Sequence, residues 1–237
     1  MRITSLFSRL LRVLPAALAG LVLAGSAAGG TITGTVHAVG ARAPKSGAED
    51  DGGYGSRRYK FIERVDYDEL TDFIVWIDLA VPATALPAPL PDGTIVQRDG
   101  TFIPHVLPVI VGTTVQWPNE DTIYHNVFSV SDSTPFDLGL YKSGETPRRI
   151  KFTQLGRIDV FCSIHSRMSC IVLVLPNPWF ARVDAHGRFT IPGVPAGTYT
   201  LKAWHERLPA KGATITVPAD GTVTADFVLG FPATPGS

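Results

Sequence analysis

Residues Phe161-Cys162-Ser163-Ile164-His165-Ser166-Arg167-Met168 place a thiol, an imidazole and a thioether at the spacing Cys-x-x-His-x-x-Met. A loop of that kind between strands can fold all of these side chains onto one point. A further imidazole, His125, stands upstream in Tyr124-His125-Asn126-Val127-Phe128, at the start of its own apolar run. The donor types select the metal. Thiolate and thioether are soft donors that suit copper(I), and imidazole suits both copper oxidation states. A His, His, Cys set with a weak axial Met is an arrangement for copper electron transfer. Structural zinc takes four Cys or His ligands. An iron–sulfur cluster takes more cysteines than the 2 in this chain. His125, Cys162, His165 and Met168 are therefore the candidate ligands of one copper ion.

Each of these residues also has a plainer reading. Cys162 could be a buried structural thiol, His125 and His165 satisfied histidines, Met168 core filling. The joint spacing favours the metal. Copper(II) tends toward tetragonal and copper(I) toward lower coordination. A rigid scaffold holding an intermediate geometry keeps rearrangement small, and with it the barrier to moving one electron.

Such a scaffold needs strands on both sides of the loop. The 23 Gly and 19 Pro are spread between short Val/Ile/Thr-rich runs, which predicts an all-β fold of many short strands. Candidate strands are Thr31–His37, Phe73–Leu79, Thr94–Gln97, Phe102–Val111, Thr114–Trp117, His125–Val130, Arg148–Phe152, Arg157–Phe161 and Cys170–Leu175. A third region adds Phe180–Val183, Arg188–Ile191, Gly197–Trp204, Ala213–Val217 and Thr222–Leu229. Turn signals such as Asp99-Gly100 and Pro118-Asn119 separate them, a spacing that suggests a Greek-key sandwich. Residues Asp66–Leu70 read as one helical turn, Gly40–Arg58 as a mobile loop, and the proline-rich Val81–Gly93 as a linker.

At the N-terminus, Arg2, Arg9 and Arg12 precede the apolar run Val13–Ala24 and then the small residues Gly25–Ala28. This reads as an export signal over 1–28, with an uncleaved anchor as the alternative. The expected location is periplasmic or extracellular, with no membrane span after cleavage. The 21 basic and 21 acidic residues cancel, which gives no reason to invoke nucleic acid. In an exported chain Cys162 and Cys170 could form a disulfide. A copper role for Cys162 leaves Cys170 a buried strand thiol.

The segment Thr94–Leu175 resembles the cupredoxins. The resemblance is carried by Val109–Trp117 (VIVGTTVQW), Pro118-Asn119-Glu120-Asp121, His125-Asn126-Val127 and the Cys-His-Met loop, whose short His-to-Met gap looks amicyanin-like. It implies a blue (type 1) copper electron carrier with His125, Cys162, His165 and Met168 as ligands. It further implies that Asn126 tethers the two ligand loops near Ser163, and that the ring edge of His165 is the electron port. Chains of this architecture are sometimes labelled for methylamine utilisation, though this sequence reveals no donor dehydrogenase. Ser163, Arg167 and Cys170 depart from the simpler family pattern. Arg167, beside the exposed ring, could repel a basic partner or choose an acidic one.

Residues Val183–Trp204 resemble the carboxypeptidase regulatory-like, or transthyretin-like, β-sandwich. That family's opening strands would here be Thr31–His37 and Phe73–Leu79. The expected organisation is a Greek-key cupredoxin sandwich over 94–176, inserted into a smaller transthyretin-like sandwich made of 29–82 and 177–230. The alternative gives the N-terminal strands to the cupredoxin sheet. His105 is expected to be structural. His37, His186 and His205 have no ligand partner at a persuasive spacing. No catalytic set is visible, so the chain is expected not to be an enzyme. The expected partners are protein redox donors and acceptors. Copper delivery is the alternative function, weakened by the presence of just 2 Met. A structural or adhesive sandwich with an incidental metal site is the other.

Overall fold

A computed structural model describes residues 29–40 and 66–231. The segments read as an export signal and, from 41 to 58, as a loop lie outside the described residues. The described chain is all-β apart from one 3-10 turn at Ala83–Ala85. In order, the strands are β1 (Gly30–Ala38), β2 (Ile74–Ile77), β3 (Gly93–Thr94), β4 (Val96–Arg98), β5 (Thr101–Ile103) and β6 (Val106–Ile110). Then come β7 (Thr114–Trp117), β8 (His125–Ser129), β9 (Phe136–Tyr141), β10 (Arg148–Lys151), β11 (Gly156–Phe161) and β12 (Ser169–Leu175). The last are β13 (Phe180–Arg182), β14 (Arg188–Val194), β15 (Gly197–His205), β16 (Leu208–Val217), β17 (Thr222–Thr224) and β18 (Phe227–Leu229).

Four sequence expectations change. Asp66–Leu70 forms a turn, with no helix. The run Phe102–Val111 breaks at Pro104-His105. The run Thr222–Leu229 breaks at Ala225-Asp226. Strand β9 was not anticipated.

Two sandwiches result. In the first, the five-stranded sheet β6-β12-β11-β8-β9 faces the three-stranded sheet β10-β7-β3. Their inner side chains, among them Trp117, Tyr141, Phe152, Val160 and Val172, form one core. In the second, β14-β1-β17 with β18 faces β13-β2-β15-β16 around Ile32, Val36, Val75, Phe189, Leu201 and Phe227. Strand β1 bonds β14, β17 and β18, and strand β2 bonds β13 and β15. Both N-terminal strands therefore pair with strands that follow residue 177.

A third cluster joins the sandwiches. Strand side chains alternate between faces. On β2, Val75 and Ile77 enter the second core, while Ile74 and Trp76 point the other way. On β12, Cys170, Val172 and Val174 enter the first core, while Ile171, Leu173 and Leu175 meet Ile74 and Trp76. Both strands are thus buried on both faces, and the sandwiches share an apolar joint.

Strand β1 holds two successive parallel partners, and the gap between them is filled by a side chain. Asp226 Oδ1 accepts from Thr35 N–H and from Thr35 Oγ1, each at 2.8 Å, where the β17–β18 backbone turns away. These bonds hold the Asp226 carboxyl below the ordinary carboxylate range. At Gly34 a Cβ would lie 1.8 Å from the Ala225 carbonyl oxygen. Gly34→Ala is therefore expected to push β17 and β18 off β1 and cost roughly 1–3 kcal/mol or more. The midpoint of urea unfolding checks this, and an unchanged midpoint would contradict the close approach.

Candidate metal centre

The ends of two neighbouring strands carry the site. Strand β11 pairs with β8 at Phe161–Phe128, which sets the residue after β11, Cys162, beside the first residues of β8, His125 and Asn126. The loop after β11 then closes on itself: Met168 N–H donates to the His165 carbonyl at 2.9 Å, and Cys162 N–H to the Met168 carbonyl at 3.1 Å. This tight return is what the Cys-x-x-His-x-x-Met spacing encodes.

Three donor atoms converge. His125 Nδ1 and His165 Nδ1 lie 3.0 Å apart. Cys162 Sγ lies 3.7 Å from His165 Nδ1 and 4.0 Å from His125 Nδ1. His125 is fully buried and Cys162 is 5% exposed, whereas the His165 ring is partly exposed. Met168, 1% exposed, buries its side chain in the same core as Cys162, Trp117 and Tyr141. The structure thus brings His125, Cys162 and His165 to one point and sets Met168 at the far end of their loop.

This donor set fits a single first-row ion. Metal–nitrogen and metal–sulfur bonds of ~2.0 and ~2.3 Å place trigonal donors roughly 3.5–3.8 Å apart, close to the spacings here. Two ring nitrogens and a sulfur with facing lone pairs call for a cation or a shared proton between them. Thiolate with imidazole suits copper, with zinc as the competitor on donors alone.

Asp121 is a site residue that the spacing did not reveal. Its Oδ2 lies 2.7 Å from His125 Nε2. With Nε2–H donating there, Nδ1 keeps its lone pair for a metal, the carboxylate–histidine–metal arrangement. The carboxylate is itself held by the β4–β5 turn. Asp99 N–H donates to Oδ1 at 2.8 Å and Gly100 N–H to Oδ2 at 3.0 Å. Asp99 and Gly100 have φ of 54° and 65°, the left-handed pair that an Asp-Gly hairpin turn supplies. Burial works to raise the Asp121 carboxyl, but the Gly100 N–H, the His125 ring and the Asp99 N–H outweigh it and hold it below the ordinary range. Asp121→Asn is expected to lower metal affinity ~10–100-fold. Competition with a chelator of known affinity measures this, and an unchanged constant would show that His125 needs no anchor.

Asn126 serves the site differently from the sequence expectation. Its backbone N–H points at Cys162 Sγ at 3.5 Å. Its side-chain amide donates to Asp137 Oδ1 at 2.7 Å, on the unanticipated strand β9, whereas Ser163 is exposed. The tether therefore runs from β8 to β9 rather than to Ser163, because the β8–β9 pairing brings Asp137 within reach. Asn126 Oδ1 is buried without a partner.

Behind the site, Tyr141 Oη donates to the Trp117 carbonyl at 2.7 Å, and Gln97 Nε2 reaches both Tyr141 Oη at 2.6 Å and that carbonyl at 3.2 Å. Asn119 Nδ2 donates to the carbonyls of Ile123 and Tyr141 and so shapes the loop that delivers Asp121 and His125. Cys162 and Cys170 are both free and buried, and burial pushes the Cys170 thiol up, which keeps it protonated and unreactive. His105 lies outside the donor cluster, between Ser169 and Glu206. Among the described residues no helix is long and apolar enough to cross a membrane.

Comparison with known proteins gives partial matches. Residues 179–225 match the family model of polysaccharide lyase family 4, domain II, a different family from the one these residues resemble by motif. No curated protein matches the sequence. A copper-containing nitrite reductase from Thermus scotoductus SA-01 is 33% identical over 41% of this chain and 25% of its own, with a TM-score of 0.34. This chain thus spans a quarter of that enzyme. A purple cupredoxin from Nitrosopumilus maritimus is 27% identical over 35% of this chain and 99% of its own, with a TM-score of 0.30. A reduced amicyanin is 23% identical over 42% of this chain and 97% of its own, with a TM-score of 0.33.

Proposed function

We propose that this chain is an exported type 1 copper protein of the cupredoxin kind that carries single electrons between protein partners. His125, Cys162 and His165 would hold the ion, with Met168 as a further, weak donor. The observation that carries this reading is the convergence of two imidazole nitrogens and one thiol sulfur within 4.0 Å of one another, His125 from β8 meeting Cys162 and His165 on a loop closed by its own backbone. Copper bound there would supply a one-electron couple.

The chain's own residues do the rest. Asn126 N–H faces the Cys162 sulfur and stabilises its thiolate. Asp121 fixes the His125 ring, so the buried ligand does not swing when the charge changes. The partly exposed His165 ring offers a short path to a partner. The apolar core around Cys162 and Met168 excludes water, which would otherwise reorganise with every transfer. In the same reading the cupredoxin unit over 94–176 is inserted in the second sandwich, whose N-terminal strands pair with its C-terminal ones.

Voltammetry of the mature protein with one equivalent of copper tests the function. A reversible one-electron wave that persists at fast scan rates is expected. Tight copper binding with no reversible wave would move the role to copper delivery.

A further inference from the structure

Resting on the copper reading, we infer that the β15–β16 turn of the second sandwich is a positioning element for the Met168 side of the metal centre, acting through His105. The chain of contacts is continuous. Glu206, in that turn, puts Oε1 3.0 Å from His105 Nε2. His105 Nδ1 lies 3.2 Å from the carbonyl of Ser169, the residue after Met168. The His105 carbonyl accepts from Ile171 N–H at 2.8 Å, so His105 grips the start of β12 at two points.

The turn is itself fixed to the first sandwich. Arg157 Nη1, on β11, donates to the Glu206 carbonyl at 3.2 Å. Arg182 of β13 repeats the clamp one residue on. Its Nη1 donates to the Val106 carbonyl at 2.5 Å, and its Nη2 pairs with Asp72 at 2.6 Å. The apolar joint of Trp76, Ile171 and Leu173 lies beside these contacts and holds the two bodies in register. The Met168 carbonyl closes the ligand loop on Cys162 N–H. A shift of β12 at Ser169 is therefore passed to Met168 and to the loop that carries Cys162 and His165. Were Met168 to donate weakly to the ion, small displacements of its side chain would change that donation, and a weak additional ligand tunes the potential of such sites. The second sandwich thereby acts as part of the copper scaffold.

Glu206→Ala in the full mature chain tests this, with two readouts. The reduction potential is expected to move by a threefold or larger change in the ratio of Cu(I) to Cu(II) affinity, ~28 mV on a scale of ~59 mV per tenfold. In the metal-free protein, hydrogen exchange at the amides of Cys162 and Ile171 is expected to quicken roughly threefold as the local opening energy falls. Glu206→Gln, which keeps an acceptor facing His105, restores most of both. Lys202→Ala breaks the Lys202–Asp78 pair elsewhere in the second sandwich and leaves both unchanged. Wild-type potential and exchange in Glu206→Ala would overturn the inference. Faster exchange in a protein that binds no copper would instead sink the copper reading and leave the mechanical link standing.

Discussion

Replacing Cys162 by serine is expected to weaken Cu(I) binding by more than ~100-fold while leaving the metal-free fold close to wild type. Loss of an outer partner of a metal ligand already costs ~10–100-fold, and this change removes a ligand itself. The thiolate is the donor that best matches copper(I); a hydroxyl does not ionise near neutral pH and is a hard donor. The fold should survive because the replacement is nearly isosteric. The Cys162 sulfur accepts one weak bond, from Asn126 N–H at 3.5 Å, and a serine oxygen can accept it too. Competition against a Cu(I) chelator gives the constant, and circular dichroism gives the fold. Wild-type affinity in the serine variant would remove Cys162 from the site.

The second large effect is on stability. Trp117 is fully buried between Phe102, whose ring is edge-on at 5.8 Å, and Phe136 at 6.4 Å. Trp117→Ala is expected to cost ~3–5 kcal/mol, the range for emptying an aromatic core position. Trp117→Phe should cost much less than the volume difference alone implies. The indole Nε1–H is buried with no acceptor, and a stranded donor costs about 1–3 kcal/mol. Phenylalanine deletes that donor along with the lost volume. The bonds at this position use the backbone carbonyl, which both variants keep. Urea unfolding of the metal-free protein separates the cases. A Trp117→Phe cost as large as the lost volume alone implies would show that the indole N–H is satisfied.

The candidate site was legible where chemistry and spacing coincide in a short segment. Cys162 and His165 lie in one loop and His125 opens an apolar run, so residue type and distance along the chain suffice for the three that converge. Asp121 was not legible, because nothing local says that the β4–β5 turn will fold onto its carboxylate and aim it at His125. Strand β9 escaped for a related reason. Phe136–Tyr141 is an edge strand whose alternation of Phe136, Leu138 and Leu140 is interrupted by Asp137 and Gly139, both poor strand formers, so its residue types read as a loop. The expected tether of Asn126 near Ser163 came from the family resemblance, while in the structure its side-chain amide donates to Asp137 of β9. The pairing of β1 with β17 and β18 joins residues about 190 positions apart, as in the Thr35–Asp226 bond with a separation of 191, and it was expected through the family resemblance of Val183–Trp204, not from periodicity. Such contacts are decided by which apolar faces fit together, which periodicity along one segment does not specify.

The most direct test of the central claim is the visible spectrum of the mature protein titrated with Cu(II). An intense copper–thiolate band that rises to one equivalent, stops there and bleaches with a mild reductant is the expected result. A protein that stays colourless, or that binds copper without a thiolate band, would contradict a copper centre built on Cys162.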